Sequence, residues 1–359
     1  MSQSDWFQAY KSAAQFLIAG PCSAETFEQV LETGVALRQQ SVDFFRAGVW
    51  KPRTRPGGFE GVGEVALPWL AEVKKQTGLK IAIEVASPAH VEAAEQFDID
   101  MYWIGARTTA NPFAVQELAN ALQGSNKIVL LKNPVNPDLS LWIGGYERLQ
   151  NAAIQSLGVI HRGFSTYPKS KYRNSPEWQI AIDFRRELPD VPMICDPSHM
   201  AGKREYLAEL TDIALNLHYD GFMIESHPNP DAAWSDAAQQ LTPAALEAFM
   251  RNRKKAVAET TNTEYLEAIR LWRSQIDVTD ALLLELLGKR MAISEKIGIL
   301  KKNYGISVLQ NDRWMKVLEH MQSQGQQNNL SDSFIRIFFK AIHEESIRKQ
   351  VNAKSEGLE

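Results

Sequence analysis

Residues 127–132 read KIVLLK, a continuous apolar run closed by Lys132. So short and unbroken a run fits a strand buried on both faces, as in a parallel sheet, and not the alternating pattern of a strand with one wet face. Similar runs recur along the first two thirds of the chain: FLIAG (16–20), DFFRAGVW (43–50), KIAIEV (80–85), MYWIGA (101–106), GVIHRG (158–163), VPMICD (191–196) and GFMIES (221–226). Helical patterns such as TFEQVLETGVALRQQ and SPEWQIAIDFRREL lie between them. Eight such βα units in roughly 240 residues predict an α/β fold, a (β/α)8 TIM barrel. A doubly wound open sheet would be favoured by a Gly-rich phosphate loop after the first strand, and GPCSAE is not one.

After LTPAALEAFMRNRKKAVAE, which reads as the last barrel helix, ETTNTE is the best domain boundary. The expected division is a barrel over 1–257, a linker over 258–263 and an all-α domain over 264–359. Thr261 and Glu264 have capping-box spacing. From there to Lys302 the chain lacks Pro and carries only Gly288 and Gly298. A helix on the order of 60 Å long is expected there. It cannot bury itself within a domain of roughly ninety residues, so a homodimer built around it is expected. Two further helices are expected near 311–323 and 332–352, the second opened by Ser331.

Composition narrows the function classes. The 359 residues are 44% hydrophobic and carry a net charge of −4, from 39 basic and 43 acidic side chains. That balance gives no reason to expect a nucleic-acid or membrane partner. Two cysteines, Cys22 and Cys195, rule out a disulfide framework as the source of stability. QFLIAG is too short for a signal-peptide core and no apolar run approaches a membrane span, so a cytoplasmic protein is expected.

Polar residues gather at the C-terminal ends of the expected strands, which in a barrel converge on one face. Cys22, His199, Glu225 and Asp236 offer soft, borderline and hard donors that together suit a divalent transition metal with a position left open. Arg46, Lys51, Arg53, Arg107, Lys132 and Arg162 supply more positive charge than one phosphate balances. Two phosphorylated substrates, one also a carboxylate, would balance it.

GPCSAE, KPRTRPGGFEG, IGARTT, LLKNP, HRGF, DPSHMAGKR and IESHPNPDAAWSDAAQQL occur in that order over about residues 15–242. This region resembles the compact type I 3-deoxy-D-arabino-heptulosonate 7-phosphate (DAHP) synthases, which condense phosphoenolpyruvate (PEP) with erythrose 4-phosphate. The resemblance implies that Cys22, His199, Glu225 and Asp236 hold a divalent ion (Mn2+, Fe2+, Co2+ or Zn2+) acting as a Lewis acid on the aldehyde oxygen. It implies that Arg107, Lys132 and Arg162 hold the PEP phosphate, and that Arg46 and the catalytic Lys51 hold its carboxylate. Glu84 joins the PEP pocket, while Arg53 and Thr54 take erythrose 4-phosphate. Arg55 reads as a surface cation. His161 stands where relatives often have an acid and receives no role. The 3-deoxy-octulosonate phosphate synthases share the barrel but typically read Lys-Ala-Asn-Arg where this chain has KPRT, which favours the four-carbon aldose phosphate.

The C-terminal domain resembles the all-helical chorismate mutases over about residues 264–351, through WRSQID, GKRM, GILKK, NDRW and EESIRKQ. At about 100° per residue, Arg290 and Lys301 lie within roughly 20° of each other on the long helix, and Arg273 faces elsewhere. The resemblance implies that Arg273 from the other subunit, Arg290 and Arg313 clamp the two carboxylates of chorismate. Lys301 and Gln350 would stabilise its ether oxygen, with Ser346 also in the pocket. Gln310 and Trp314 stand where some members have acids, and Trp314 would narrow the pocket. The expected whole is a bifunctional enzyme making DAHP and prephenate. Prephenate or chorismate is expected to lower the synthase activity through the helical domain. The alternative makes that domain mainly a dimerising sensor.

Overall fold

The computed structural model describes residues 5–10, 15–51, 57–167, 170–253, 260–309 and 311–353. By Cα proximity the chain divides into two compact units, Met1–Ala258 and Glu259–Glu359.

The first unit is a closed, all-parallel barrel. Its strands are β1 Phe16–Gly20, β2 Phe44–Ala47, β3 Lys80–Val85, β4 Met101–Ile104, β5 Ile128–Lys132, β6 Ser156–His161, β7 Met193–Cys195 and β8 Gly221–Glu225. The continuous apolar runs have a simple cause. One set of alternate residues, including Ile18, Phe44, Ala82, Met101, Leu130, Ile160 and Met223, fills the barrel interior. The other set, including Leu17, Phe45, Ile83, Tyr102, Val129 and Val159, packs in the larger core with the surrounding helices. A short helix, Asp5–Tyr10, adds Trp6 and Phe7 to the interior cluster. Trp6 Nε1 donates to the Leu157 carbonyl at 2.9 Å.

Two runs end earlier than their apolar stretch suggests. The β2 run stops at Ala47 because Gly48 N–H turns to the Cys22 carbonyl (3.2 Å) while Gly48 O accepts from Ala24 N (2.9 Å). The β4 run stops at Ile104 because Gly105 becomes the N-cap of a short helix, Ala106–Thr109.

Strand parity then places the functional chemistry. Two residues beyond the interior Phe44 comes Arg46; beyond Ala82 comes Glu84; beyond Met101, Trp103; beyond Leu130, Lys132; beyond Met223, Glu225. Because side chains alternate along a strand, these five point the same way as the interior layer below them. His161 has the opposite parity. Its ring lies among Trp142, Phe164, Trp178 and Tyr219, and its Nδ1 pairs with Tyr219 Oη at 2.7 Å.

The second unit is three helices, Thr263–Asn303, Asn311–Gln327 and Asp332–Asn352. The first is 41 residues long. Its cap is Asn262, whose Oδ1 accepts from Tyr265 N at 2.9 Å; Thr261 lies one residue outside the cap. Ser331 caps the last helix through Phe334 N (3.3 Å). Gly298 lets the long and last helices touch, since a Cβ there would sit 2.5 Å from Gln350 Cα. Leu271, Ile276, Leu283, Leu286, Ile293 and Leu300 are exposed within the single chain. Among the described residues, no helix is long and apolar enough to cross a membrane.

Candidate active site

At the C-terminal mouth of the barrel, ligand-type atoms of Cys22, Glu225 and Asp236 lie within 4.8 Å of one another. Cys22 comes from the loop after β1, Glu225 ends β8, and Asp236 lies eleven residues further on, with its backbone at φ 50°. His199 sits beside the trio, its Nε2 3.6 Å from Glu225 Oε1, and its Nδ1 is 2.8 Å from Asp196 Oδ2. A short helix, Pro197–Ala201, carries it, capped by Asp196 Oδ1 accepting from His199 N (3.1 Å).

The donor set fits a divalent ion. Among the described residues the buried Glu225 Oε1 accepts no well-aligned hydrogen bond and is approached by Arg46 Nη2 as an ion pair, and beside it stand a thiol, a second carboxylate and an imidazole. Burial, followed by the Glu225 charge, pushes the Cys22 thiol up to about 12. It therefore keeps its proton and donates to Asp236 Oδ2 at 3.3 Å. Burial raises both carboxyls, yet the neighbouring cations outweigh it. His199 and Arg46 hold Glu225 below the usual range, and Arg173 and His199 do so for Asp236. Burial is the main influence on the His199 imidazole and lowers its pKa; when the ring gives up its charge, as a ligand must, Arg46 and Arg173 are left to keep the two carboxylates ionised.

Next to this cluster stands a cationic wall. Arg46 is 1% exposed; its Nη2 lies 3.3 Å from Glu225 Oε1. Its Nε and Nη1 are buried with no hydrogen-bond partner among the described residues. Unmet donors on a buried guanidinium suit an anion. Lys132 Nζ, also buried, is 2.9 Å from Asp196 Oδ2. Burial is the largest influence on Asp196 and raises it, but His199 and Lys132 hold it well below the usual range. Arg162 lies just past β6, with its backbone N donating to Asn133 Oδ1 at 2.7 Å. Arg107 is exposed on the helix after β4. Lys51 Nζ reaches Cys22 Sγ at 2.9 Å. Arg53, Thr54 and Arg55 lie outside the described residues.

Trp103 is the floor residue that sequence reading misses. Its ring faces the Arg46 guanidinium at 4.9 Å and the Lys132 ammonium at 5.7 Å, and its Nε1 donates to Glu84 Oε2 at 3.1 Å. A Cβ on Gly105 would collide with Glu84 Oε1 at 2.1 Å, so only glycine leaves that carboxylate its place. Arg173 is a second omission: its Nη1 bonds Asp236 Oδ1 (2.7 Å) and Gln239 Oε1 (3.1 Å). Asp196 is the third, a rim residue without an assigned role that here joins Lys132 to His199. The inward step of two from Met101 could have flagged Trp103. No sequence pattern signals Arg173.

In the helical unit, Arg290, Lys301, Ser346 and Gln350 occur on the long and last helices. Ser294 Oγ bonds Ser346 Oγ at 2.7 Å, and Gln350 Nε2 donates to Ser346 Oγ at 3.3 Å. Arg290 Nη1 and Gln350 Oε1 are buried without hydrogen-bond partners among the described residues. Lys301 Nζ donates to the Val308 carbonyl at 2.8 Å. Trp314 stacks on His343 with ring centroids 4.1 Å apart. Arg313 is exposed, as is Arg273, and Gln310 is outside the described residues. Arg273 precedes Arg290 by seventeen positions on one helix, about 25 Å along its axis.

Comparison with known proteins gives matches for both units. The DAHP synthetase I family model matches residues 11–262, and the chorismate mutase type II model matches residues 272–351. A phospho-2-dehydro-3-deoxyheptonate aldolase of Thermotoga maritima is 30% identical over 239 residues, 67% of this chain and 69% of its own. A 2-dehydro-3-deoxyphosphooctonate aldolase of Nitratidesulfovibrio vulgaris is 26% identical over 258 residues, 65% of this chain and 88% of its own. The crystal structure of a Thermotoga maritima DAHP synthase superposes with a TM-score of 0.59 at 28% identity, covering 66% of this chain and 67% of that one.

Proposed function

The chain belongs to the DAHP synthetase I family and continues into a chorismate mutase type II domain, and from that premise we propose how its residues divide the two reactions. It is a bifunctional enzyme of aromatic biosynthesis: a synthase condensing PEP with erythrose 4-phosphate, and a mutase rearranging chorismate to prephenate.

On our reading, Arg46 and Lys51 take the PEP carboxylate, and Lys132, Arg162 and Arg107 its phosphate. The unmet Arg46 donors and the buried Lys132 support this assignment. Fixed cations offset the repulsion between two anionic substrates and hold PEP C3 facing the aldehyde carbon. Cys22, Glu225 and Asp236, with His199 beside them, would hold a divalent ion, which supplies Lewis acidity toward the aldehyde oxygen. Arg53 and Thr54 are assigned to the aldose phosphate. The carrying observation is the gathering of Cys22, Glu225 and Asp236 within 4.8 Å, directly beside Arg46 and Lys51.

In the helical unit, Arg290 and Gln350 offer buried groups whose hydrogen bonds are unmet among the described residues. We assign Arg290 to a chorismate carboxylate, and Gln350, with Lys301, to the ether oxygen. Arg313 and Ser346 complete the pocket. Arg273 is too far along the helix to serve the Arg290 pocket of its own chain, which supports a homodimer in which each pocket borrows a second copy's Arg273. We also propose that prephenate bound there lowers synthase turnover.

The test runs both assays on one preparation. PEP loss with erythrose 4-phosphate should exceed that with a five-carbon aldose phosphate, and chorismate absorbance should fall. Equal or greater turnover of the longer sugar would overturn the aldose assignment. An Arg290→Ala chain should lose inhibition by prephenate; inhibition unchanged in that variant would overturn the regulatory one.

A further inference from the structure

Glu25 is a buried carboxylate that no step above uses, 5% exposed and three residues after Cys22. Its Oε1 accepts from the backbone N of Trp234 at 2.8 Å, two residues before Asp236. Its Oε2 faces Nε2 of the buried His227 at 3.4 Å. His227 Nδ1 accepts from Asn229 N at 3.0 Å. A neutral imidazole accepting at Nδ1 carries its proton on Nε2, so His227 donates to Glu25. One carboxylate thus grips the segment joining Glu225 to Asp236 near both ends.

That segment needs an outside hold. Between the two carboxylates it contains only a single short turn, Pro230–Ala232. Asp236 itself sits at φ 50°, a left-handed conformation that costs a non-glycine residue free energy unless its surroundings impose it. Ser23 Oγ bonds Ser235 Oγ, and Cys22 N donates to Gln240 Oε1 at 2.9 Å. The Trp234 indole meets Phe59 edge-on at 5.3 Å and 87°. Phe59 adjoins Glu60, whose carbonyl accepts from Lys51 N at 2.8 Å.

We propose that Glu25, oriented by His227, is a positioning residue that sets Asp236 against Cys22 and, through Trp234 and Phe59, ties that arrangement to the Lys51 loop. The inference rests on reading Cys22, Glu225 and Asp236 as metal ligands. Groups that orient ligands in this way typically contribute about 10- to 100-fold in metal affinity.

The experiment titrates Co2+ alone into the metal-stripped full chain and follows the sulfur-to-cobalt charge-transfer band, which reports the Cys22 bond without any turnover. Glu25→Ala should bind Co2+ about tenfold or more weaker than the unaltered chain. Glu25→Gln keeps an oxygen for the Trp234 N–H but loses the charge facing His227, so its affinity should fall between the two. Affinity in Glu25→Ala within about twofold of the unaltered chain, or Glu25→Gln no tighter than Glu25→Ala, overturns the positioning role. If Glu25→Ala does not fold, Glu25→Gln decides alone: a loss of about threefold or more supports the role, and a smaller one overturns it. Cys22→Ser separates the layers. If the unaltered chain shows no band, or Cys22→Ser keeps it, the metal reading and this inference fall together. If the band depends on Cys22 but ignores Glu25, only this inference falls.

Discussion

Lys51 Nζ donates to Cys22 Sγ across 2.9 Å and also bonds the Cys22 carbonyl oxygen. An ammonium thus lies against the sulfur that faces Glu225 and Asp236, so positive charge is already favoured at that point. Arrival of PEP would draw Lys51 toward the substrate carboxylate.

Lys51→Gln separates these two duties. Synthase kcat should fall about 100-fold or more, the usual effect of deleting a group aimed at developing charge. Mn2+ affinity should hold or rise, since a competing cation is gone. Phosphate release and equilibrium metal binding check the two arms, and a variant with normal kcat contradicts the role.

Trp103 holds Glu84 through its N–H and faces Arg46 and Lys132 with its ring. Trp103→Phe keeps an aromatic face, weakens it toward cations and deletes the hydrogen bond. A loss of about 1–2 kcal/mol is expected. Read as KM for PEP, that is a rise of about 5- to 30-fold, and an unchanged KM would contradict the floor assignment.

How far these residues were legible in the sequence depends on which physical pattern carries them. The barrel was legible because KIVLLK and its counterparts are apolar on both strand faces, which few architectures require. Lys132 and Glu225 were legible because a charge closing such a run has the strand end as its natural place, and Arg46 because a lone cation interrupts an otherwise apolar run. Trp103 was not, since a tryptophan inside an apolar strand looks like ordinary core until parity shows it standing above Met101. Arg173 and Glu25 were not, because their partners Asp236 and Trp234 are distant in sequence and only the closed barrel brings them together.

His161 gives a pH prediction. Burial is the main cause that lowers its pKa to about 3; its ordinary value is about 6.5. The folded state therefore binds fewer protons than the unfolded one between those limits. The contribution is complete above the ordinary value and is lost as pH falls through the window. At pH 5.5, one unit below that value, about 1.4 kcal/mol should be gone. Urea unfolding at pH 7.5 and 5.5 should show a difference smaller by about this amount in His161→Gln. An identical difference in the variant would contradict the assignment.

The spacing of Arg273 and Arg290 predicts complementation. Arg273→Ala and Arg290→Ala chains should each lose about 100-fold or more in mutase turnover. Unfolded together and refolded, they should recover about a quarter of the original activity, because half the dimers are mixed and each mixed dimer rebuilds one of two pockets. No recovery after proven exchange would contradict the shared pocket.

The most direct measurement is phosphate release from PEP and erythrose 4-phosphate by the metal-stripped full chain, before and after Mn2+ is added back, alongside Cys22→Ala. The account predicts no release without metal, full recovery in the unaltered chain and none in the variant. Release that survives stripping, or Mn2+ recovery undiminished in Cys22→Ala, would contradict it.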